Sequence, residues 1–340
     1  MINQIKEDLP VYANTGASVM EISHRGKAFI EIYEGAQDRL RRLLGLSSDW
    51  HVLFLQGGAT MQFHQVALNF LPRSGSADYV VTGTWSKKAL KEAQVIAPVR
   101  VAATSESTQF DRIPDPTTWD LDPEAAYVHL TSNNTIAGTQ LRQDLHLSRP
   151  IIADMSSDFC SRPIDLEPYG LIYAGAQKNM GPSGVTIVLV HDRMLAQQQA
   201  GLPPILDYRS HIDAMFNTPP TFPVYVVGLV LSWLESQGGL ASIQQRNAEK
   251  ANRVYAAIDA HDVYVGATAA ADRSQMNVTF RLASSDLEAR FLEGAAARGL
   301  VGLKGHRSVG GIRASIYNAC DDAAISALVD FMEAFASESA

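Results

Sequence analysis

The stretch IDLEPYGLIYAGAQKNMGPSG, residues 164–184, is followed by the apolar run TIVLV at residues 186–190. It contains a short apolar segment that ends in small residues, then one lysine, then a Gly-Pro turn that leads into a strand. Lys178 is the only basic residue between Arg162 and His191. A lysine removed from water loses part of its charge and becomes a nucleophile toward carbonyl groups. Taken alone, however, a lysine in this position is better explained as part of a surface turn.

A second segment, upstream of the first, changes that interpretation. Residues 151–154, IIAD, are typical of a buried strand that ends in an acid. Pyridoxal phosphate requires both groups from a protein, because the carboxylate pairs with the protonated ring nitrogen and the lysine holds the aldehyde. The two segments together therefore predict a pyridoxal phosphate site that contains Asp154 and Lys178.

These two segments also resemble the phosphoserine aminotransferase family, which consists of class-V, fold-type I enzymes. The resemblance is carried by DMSS at residues 154–157 and by AGAQKNMGP at residues 174–182. It extends from about Gly16 to the C-terminus. It implies an α/β fold with a mainly parallel sheet covered by helices on both faces, a smaller C-terminal α+β domain, and pyridoxal phosphate as the cofactor.

Composition argues against several classes of protein. The chain has 340 residues and a formal net charge of −8, so a general nucleic-acid surface is not expected. Cys160 and Cys320 match no metal-site spacing and fit a reducing compartment, which indicates a cytoplasmic location. No signal peptide is expected at the N-terminus. The longest apolar stretch, residues 222–234, is too short to span a bilayer and is predicted to be a buried helix.

Apolar periodicity predicts alternating strands and helices, which is typical of a mainly parallel sheet. A helix is expected from Arg25 to a stop at Gly45. Strands are predicted near residues 51–55, 79–83, 95–102, 127–130, 151–154 and 186–190, with helices at 61–70 and 85–94. Helices near 224–237 and 240–259, strands near 276–280 and 312–316, and a last helix capped by Asp321 or Asp322 follow. We expect a large domain of residues 1–235, whose N-terminal segment can pack with the small domain, and a small domain of residues 236–340.

Further cofactor contacts are assigned through the resemblance. Residues 57–60, GGAT, lie at a strand-to-helix junction, where free N–H groups and the positive end of a helix suit a phosphate, although a tight glycine turn explains the motif equally well. The resemblance implies that Ala59 and Thr60 bind the cofactor phosphate and that Trp85 stacks over the ring. It also implies that Thr135 and Gln177 contact the cofactor, whereas the residues alone allow a core tryptophan and ordinary turn positions. The resemblance further implies a homodimer with composite active sites, in which Asn217 and Thr218 of one subunit reach the cofactor phosphate of the other.

Four basic side chains between residues 304 and 313 predict an anion site. Lys304 is best explained as solvated, whereas arginine suits two-point binding of a carboxylate or phosphate. The resemblance implies that Arg313 binds the α-carboxylate of the substrate. It also implies that His306 and Arg307 bind the distal phosphate, or the γ-carboxylate of glutamate, and that Arg25 of the partner subunit joins them.

The reaction that the resemblance implies converts L-glutamate and 3-phosphohydroxypyruvate to 2-oxoglutarate and O-phospho-L-serine in serine biosynthesis, and pyridoxine biosynthesis is a further role. Lys178 would move the α-proton and Asp154 would keep the ring nitrogen protonated.

Two alternatives stay open. A class-V lyase of the cysteine-desulfurase type needs a reactive cysteine on a mobile loop, which Cys160 and Cys320 match poorly. The second alternative is a protein that binds the cofactor but turns over poorly. It is suggested by the N-terminus, because relatives begin with a substrate-lining stretch like FSAGPA and this sequence starts with MINQ.

Overall fold

The structure, a computed structural model, describes residues 1–212 and 215–339. The helices in this part of the chain are α1 (Ile2–Asp8), α2 (Lys27–Leu44), α3 (Gly58–Phe70), α4 (Thr84–Gln94), α5 (Asp192–Leu195), α6 (Thr221–Ser236), α7 (Gly239–Asp259), α8 (Ser285–Ala297) and α9 (Asp322–Ser339). The strands are β1 (Trp50–Leu55), β2 (Asp78–Val81), β3 (Arg100–Thr104), β4 (Val128–Thr131), β5 (Asn133–Asn134), β6 (Thr139–Gln140), β7 (Ile151–Asp154), β8 (Tyr169–Gly175), β9 (Thr186–His191), β10 (Tyr264–Gly266), β11 (Asn277–Leu282) and β12 (Ile312–Ser315).

Seven strands form the main sheet, in the order β1-β9-β8-β7-β4-β2-β3. Neighbouring strands from β8 to β3 pair in parallel, whereas β9 is antiparallel to both β1 and β8. Successive residues of a strand point to opposite faces, and both faces are covered here: Val52 packs in the cluster with α2 and α6, and Leu53 in the cluster with α3 and α4. The predicted α/β fold with a mainly parallel, doubly covered sheet is confirmed.

Helix α2 shows how the local sequence sets an element. Phe29, Ala36, Leu40 and Leu44 form its buried stripe. Gly45 ends the helix in the left-handed conformation, with φ 66°, which is the stop predicted from the sequence. The helix begins at Lys27, two positions after the predicted start.

Some elements differ from the sequence prediction. Strand β8 has seven consecutive buried residues and lies between β7 and β9, whereas the sequence indicated only a short apolar run there. Strand β3 begins at Arg100 instead of near Val95, because Val95 still bonds to Glu92 O at the end of α4 and its side chain is exposed. Helix α8, which Ser284 caps by accepting from Leu287 N, was not predicted.

The C-terminal part of the chain has a sheet and an apolar core of its own. Strands β10, β11 and β12 form an antiparallel sheet that packs with α7, α8 and α9. Asp321 accepts from Ala324 N at 2.8 Å and so caps the last helix. Near the N-terminus, Asp8 of α1 accepts a hydrogen bond at 2.5 Å from the hydroxyl of Tyr225 in α6. The division into domains at residues 235 and 236 stays a prediction.

Helix α6 contains the longest apolar stretch of the sequence. Val224, Val227, Leu231 and Leu234 are buried in it, as predicted for a core helix. Among the described residues, no one helix combines the length and the apolar character of a bilayer span. Helices α6 and α7 meet those limits only as a pair, across a bend of 84°.

Candidate active site

The predicted site residues meet where the parallel strands end. Strand β7 ends at Asp154, and its neighbour β8 runs into the turn that carries Lys178. On the other side of β7, strand β4 is followed by the segment 132–135, and beyond it β2 is followed by the start of α4 with Trp85. Residues far apart in the sequence therefore share one edge of the sheet, the usual place for a ligand in open α/β folds.

Asp154 is buried, with only 4% of its surface exposed. Its Oδ1 accepts from the backbone N–H of Ser156 at 2.9 Å and from the Ser156 hydroxyl at 2.6 Å. Burial raises the pKa of the carboxyl, while the Ser156 bonds and the charge of Lys178 lower it. Among the described residues every hydrogen bond to this carboxylate goes to Oδ1, so Oδ2 is available to a cationic ring nitrogen.

Lys178 is partly buried, and its Nζ lies 5.1 Å from the centre of the Trp85 ring. Burial lowers the pKa of the amine, Asp154 opposes this shift, and Arg313 adds to it. A lowered pKa increases the fraction of neutral amine, which is the nucleophilic form. Its neighbour Gln177 is exposed.

Thr135 joins Trp85 to the basic end of the site. Trp85 Nε1 donates to Thr135 Oγ1 at 3.1 Å, and Arg313 Nη1 donates to the Thr135 carbonyl at 3.1 Å. The start of α4 is fixed by the Ser86 hydroxyl, which accepts from Gly83 N at 3.0 Å. The tryptophan ring is therefore held in one orientation with part of its surface free.

A cavity of about 450 Å³ adjoins these residues. Its walls come from the strand ends on one side and from segments 265–267, 279–281 and 305–313 on the other, and they include Trp85, Arg281, His306 and Arg313. Burial and the charges of Arg313 and Arg307 lower the pKa of His306. Arg307 is exposed beside the cavity. The cavity thus combines an aromatic face with positive charge, which suits an anionic substrate.

The predicted phosphate loop lies at the start of α3. Gly57 and Gly58 have φ of 89° and 65°, and a Cβ added to Gly57 would lie 2.5 Å from Met61 Cβ. The turn therefore requires glycine. Ala59 and Thr60 occupy the first helical turn, which contains no acidic residue and offers free N–H groups.

The segment with Asn217 and Thr218 lies beside this loop in the same chain. Asn217 Nδ2 donates to Gln56 Oε1 at 3.2 Å, and Gln56 Nε2 donates to the Thr218 carbonyl at 2.6 Å. Arg25 is exposed just before α2. The chain thus gathers Asp154, Lys178, Trp85, Thr135 and the basic residues in one place. The sequence analysis assigned Arg25, Asn217 and Thr218 to the site of a partner subunit, and this assignment stays a prediction.

These residues fit pyridoxal phosphate. Four features match what the group requires: an Oδ2 of Asp154 that accepts no hydrogen bond from the described residues, an amine with a lowered pKa, a partly exposed aromatic ring and a helix start without acidic residues. Arg313 Nε and Asn134 Oδ1 are also buried without a hydrogen-bond partner among the described residues, so one donor and one acceptor in this region can still form a hydrogen bond.

Sequence reasoning missed the buried polar residues that support the site. Asn133 Nδ2 donates to Ser157 Oγ at 2.9 Å and to Asn277 Oδ1 at 2.8 Å. Ser132 and Asp158 are also buried in this network. The available signal was a run of polar residues, TSNN at 131–134, directly after a buried strand.

Neither cysteine has the surroundings of a nucleophile. Cys160 is fully buried in the turn after β7, and burial raises the pKa of its thiol. Cys320 is partly buried, and burial raises its pKa as well.

Comparison with known proteins places the chain among aminotransferases. Residues 2–328 match the model of the aminotransferase class-V family. The phosphoserine aminotransferase of Desulfosudis oleivorans is 52% identical over 98% of this chain and 94% of its own length. That of Herpetosiphon aurantiacus is 49% identical over 99% of this chain and 95% of its own.

Solved structures agree with the sequence comparison. The phosphoserine aminotransferase from Bacillus circulans subsp. alkalophilus superposes with a TM-score of 0.97 at 47% identity, and covers 100% of this chain and 95% of its own. The pyridoxal phosphate-bound phosphoserine aminotransferase from Trichomonas vaginalis has a TM-score of 0.93 at 38% identity, with 98% and 95% covered.

Proposed function

This chain belongs to the class-V aminotransferase family and, within it, to the phosphoserine aminotransferases, and we propose that it transfers the amino group of L-glutamate to 3-phosphohydroxypyruvate through Lys178. It is a pyridoxal phosphate-dependent aminotransferase of serine biosynthesis that acts on small molecules. The finer assignments are the products 2-oxoglutarate and O-phospho-L-serine, the covalent role of Lys178, and a second role in pyridoxine biosynthesis. A homodimer and a cytoplasmic location also remain predictions.

One observation carries the proposal. Lys178 Nζ lies 5.1 Å from the centre of the Trp85 ring, and the charge of the buried Asp154 acts on its pKa. Arg313 is held in the same region by its hydrogen bond to the Thr135 carbonyl. An amine with a lowered pKa is thereby combined with an aromatic face, a buried acid and a carboxylate-binding arginine.

When bound, pyridoxal phosphate supplies an electron sink for the negative charge that develops at the substrate α-carbon. In this proposal Asp154 holds the proton of the ring nitrogen through Oδ2. Lys178 Nζ would take the α-proton of the substrate and later return it, first as general base and then as general acid. Trp85 and Thr135 orient the ring.

The remaining residues position the charged groups. The N–H groups of Ala59 and Thr60 bind the cofactor phosphate, with Gln177 beside the lysine. The substrate assignments are those made from the resemblance: Arg313 for the α-carboxylate, His306 and Arg307 for the distal phosphate, and, across the dimer, Arg25, Asn217 and Thr218.

The test uses the purified holoenzyme and follows its visible absorbance. Glutamate alone should remove the absorbance of the aldehyde form, and 3-phosphohydroxypyruvate should restore it. Borohydride should fix the cofactor on a peptide that contains Lys178, and Lys178→Ala should lose this adduct. Absence of the adduct from Lys178 in the wild-type protein would contradict the covalent assignment.

The same assay separates the alternatives. Release of sulfur from cysteine would indicate the lyase, for which the buried Cys160 and the partly buried Cys320 offer no support. A fixed cofactor whose spectrum does not respond to glutamate would indicate a binding protein that turns over poorly.

A further inference from the structure

Three buried asparagines bind three successive carbonyls in the turn 159–161, which follows β7. In chain order, these carbonyls accept from Asn179 Nδ2 at 2.8 Å, from Asn318 Nδ2 at 2.9 Å and from Asn247 Nδ2 at 3.2 Å. Cys160, at the centre of the turn, has φ 57°, which is uncommon for a residue other than glycine. The three bonds satisfy buried acceptors and hold the turn in this conformation.

The three asparagines come from separate parts of the fold. Asn179 follows Lys178 in the segment 176–184, which we call the lysine turn, and Asn247 lies in α7. Asn318 lies shortly after β12, a strand of the C-terminal sheet. Its backbone N–H donates to Asn179 Oδ1 at 2.9 Å, and its Oδ1 accepts from Asn247 Nδ2 at 2.8 Å. One buried cluster therefore joins the lysine turn to the turn after β7 and to the C-terminal sheet.

Asn179 provides the lysine turn with its polar contacts to the rest of the protein. Among the described residues, no other side chain of the lysine turn forms a hydrogen bond, and Lys178 Nζ forms none. The backbone bonds of this segment, from Met180 N to Ala176 O and from Ala176 N to Val185 O, stay within the turn and its junction with β9. The position of the Lys178 backbone is therefore set by Asn179 together with the packing of the buried Met180.

We propose that Asn179 is a positioning residue, which holds the Lys178 nitrogen in place for the transfer of the α-proton. Both polar atoms of the Asn179 side chain are bound to the protein, so it acts through the backbone of its neighbour and not by contact with the substrate. Asn318 follows the strand that carries Arg313, so the same bond also fixes the lysine relative to the residue proposed to bind the substrate carboxylate. Misplacement of a reacting group by about 1 Å can cost about 10²-fold in rate. The inference rests on the proposed function, because it takes Lys178 as the residue that moves this proton.

The experiment compares Asn179→Ala with Asn247→Ala. Both variants remove a buried amide that binds the turn 159–161, but only Asn179 adjoins Lys178. In a single turnover of the holoenzyme with saturating glutamate, Asn179→Ala should lower the rate at which the aldehyde absorbance is lost by about tenfold, whereas Asn247→Ala should stay within about twofold of the wild type. KM for glutamate should stay within about twofold in both variants, because neither residue contacts the substrate.

A second readout uses the cofactor-free protein. Hydrogen exchange of the amides in the lysine turn should be about tenfold faster in Asn179→Ala than in the wild type and unchanged in Asn247→Ala. The amide of Asn318 should also exchange faster in Asn179→Ala, because it loses its acceptor. If Asn179→Ala does not fold, Asn179→Asp gives the same comparison. It keeps the shape and the acceptor for Asn318 but loses the donor to the Phe159 carbonyl, so exchange in the lysine turn should still be faster.

A single-turnover rate of Asn179→Ala equal to that of the wild type, an equal loss of rate in Asn247→Ala, or unchanged exchange in the lysine turn would overturn the inference. Failure of the proposed function looks different, because the wild-type protein would then fix no cofactor on Lys178. A wild type that carries this adduct, together with an Asn179→Ala variant that reacts equally fast, would reject only the role of Asn179.

Discussion

Two lysines, one partly and one fully buried, show how surroundings separate structure from chemistry at the scale of the residue. Lys250 is 1% exposed and donates to three carbonyls, those of Ile316, Tyr317 and Cys320, at 2.8–3.2 Å. Lys178 makes no hydrogen bond among the described residues. Burial lowers the pKa of both amines. Only Lys178 therefore has a nitrogen that is free to react, whereas Lys250 serves to satisfy backbone acceptors.

This contrast predicts that replacement of each lysine with methionine affects a different property of the protein. Lys250→Met should lower the free energy of unfolding by about 2–4 kcal/mol, because three carbonyls lose a charged donor. Lys178→Met should leave the stability of the cofactor-free protein nearly unchanged and abolish the borohydride adduct. Urea unfolding of both cofactor-free variants measures the first effect. Equal stability of the two variants would refute the structural role of Lys250.

Arg307 is expected to bind the distal charge of the substrate. Replacing it with alanine should raise KM for the phosphorylated keto acid by about 10²-fold, since a charge-assisted two-point contact is lost. Cofactor affinity should stay the same. Lys304→Ala is the matched control, because Lys304 is an exposed cation on the same loop. Steady-state kinetics decide the matter, and similar KM values for the two variants would argue against the assigned role.

At the scale of the element, the start of α4 depends on close contact with the segment after β4. A Cβ added to Gly83 would lie 2.4 Å from Asn134 Oδ1, although the extended backbone, with φ 171°, accepts any residue. Asn134 in turn donates to Thr82 Oγ1 and Thr139 Oγ1, both at 3.1 Å. The orientation of Trp85 is therefore set by how closely two loops approach each other.

Gly83→Ala should displace Trp85 from Thr135 and weaken cofactor binding by about tenfold, which corresponds to one lost hydrogen bond. Quenching of tryptophan fluorescence on addition of pyridoxal phosphate measures the affinity. Gly228→Ala provides the control, because an added Cβ there would meet only Ala36 Cβ at an ordinary 3.8 Å in the middle of α6. A normal affinity of Gly83→Ala would show that the loops can separate without cost.

At the scale of the whole molecule, the raised pKa of Asp158 makes stability depend on pH. The folded protein retains a proton that the unfolded chain has released between pH 3.8 and about 6. This contribution is fully present below pH 3.8 and is lost as the pH rises through 6. Relative to the wild type, Asp158→Asn should therefore gain up to about 3 kcal/mol between pH 4 and pH 7. Denaturant unfolding at a series of pH values checks this, and parallel curves for the two proteins would contradict it.

A composite site makes a second prediction at this scale. If Arg25 serves the partner's site, a mixture of Lys178→Ala and Arg25→Ala chains should form hybrid dimers with one complete site. After subunit exchange, about a quarter of the wild-type activity should return for random pairing. Each variant alone should be nearly inactive with the phosphorylated substrate. Failure of the mixture to regain activity would mean that Arg25 acts within its own chain, whereas full activity of Arg25→Ala alone would mean that Arg25 has no role.

Local patterns were enough for the main reactive groups. An acid at the end of a buried strand and a lysine between small residues and a Gly-Pro turn are recognisable within a few positions, and these identified Asp154 and Lys178. The alternation of strands and helices likewise indicated the parallel sheet. Strand β8 was not recognised, because Gly170 and Gly175 interrupt its apolar run, whereas the equally buried strands β7 and β9 have continuous apolar runs.

The sequence by itself therefore determined the family and the fold class, and it predicted the two residues that we propose face the cofactor ring. Only the tertiary structure placed Thr135 between Trp85 and Arg313, and Asp158 beneath Ser132. These contacts depend on the strand order β8-β7-β4-β2, which brings the ends of separate βα units to one edge of the sheet. Propensity and periodicity act over a few residues, whereas the burial of a charge and the approach of two loops arise only when distant segments pack together.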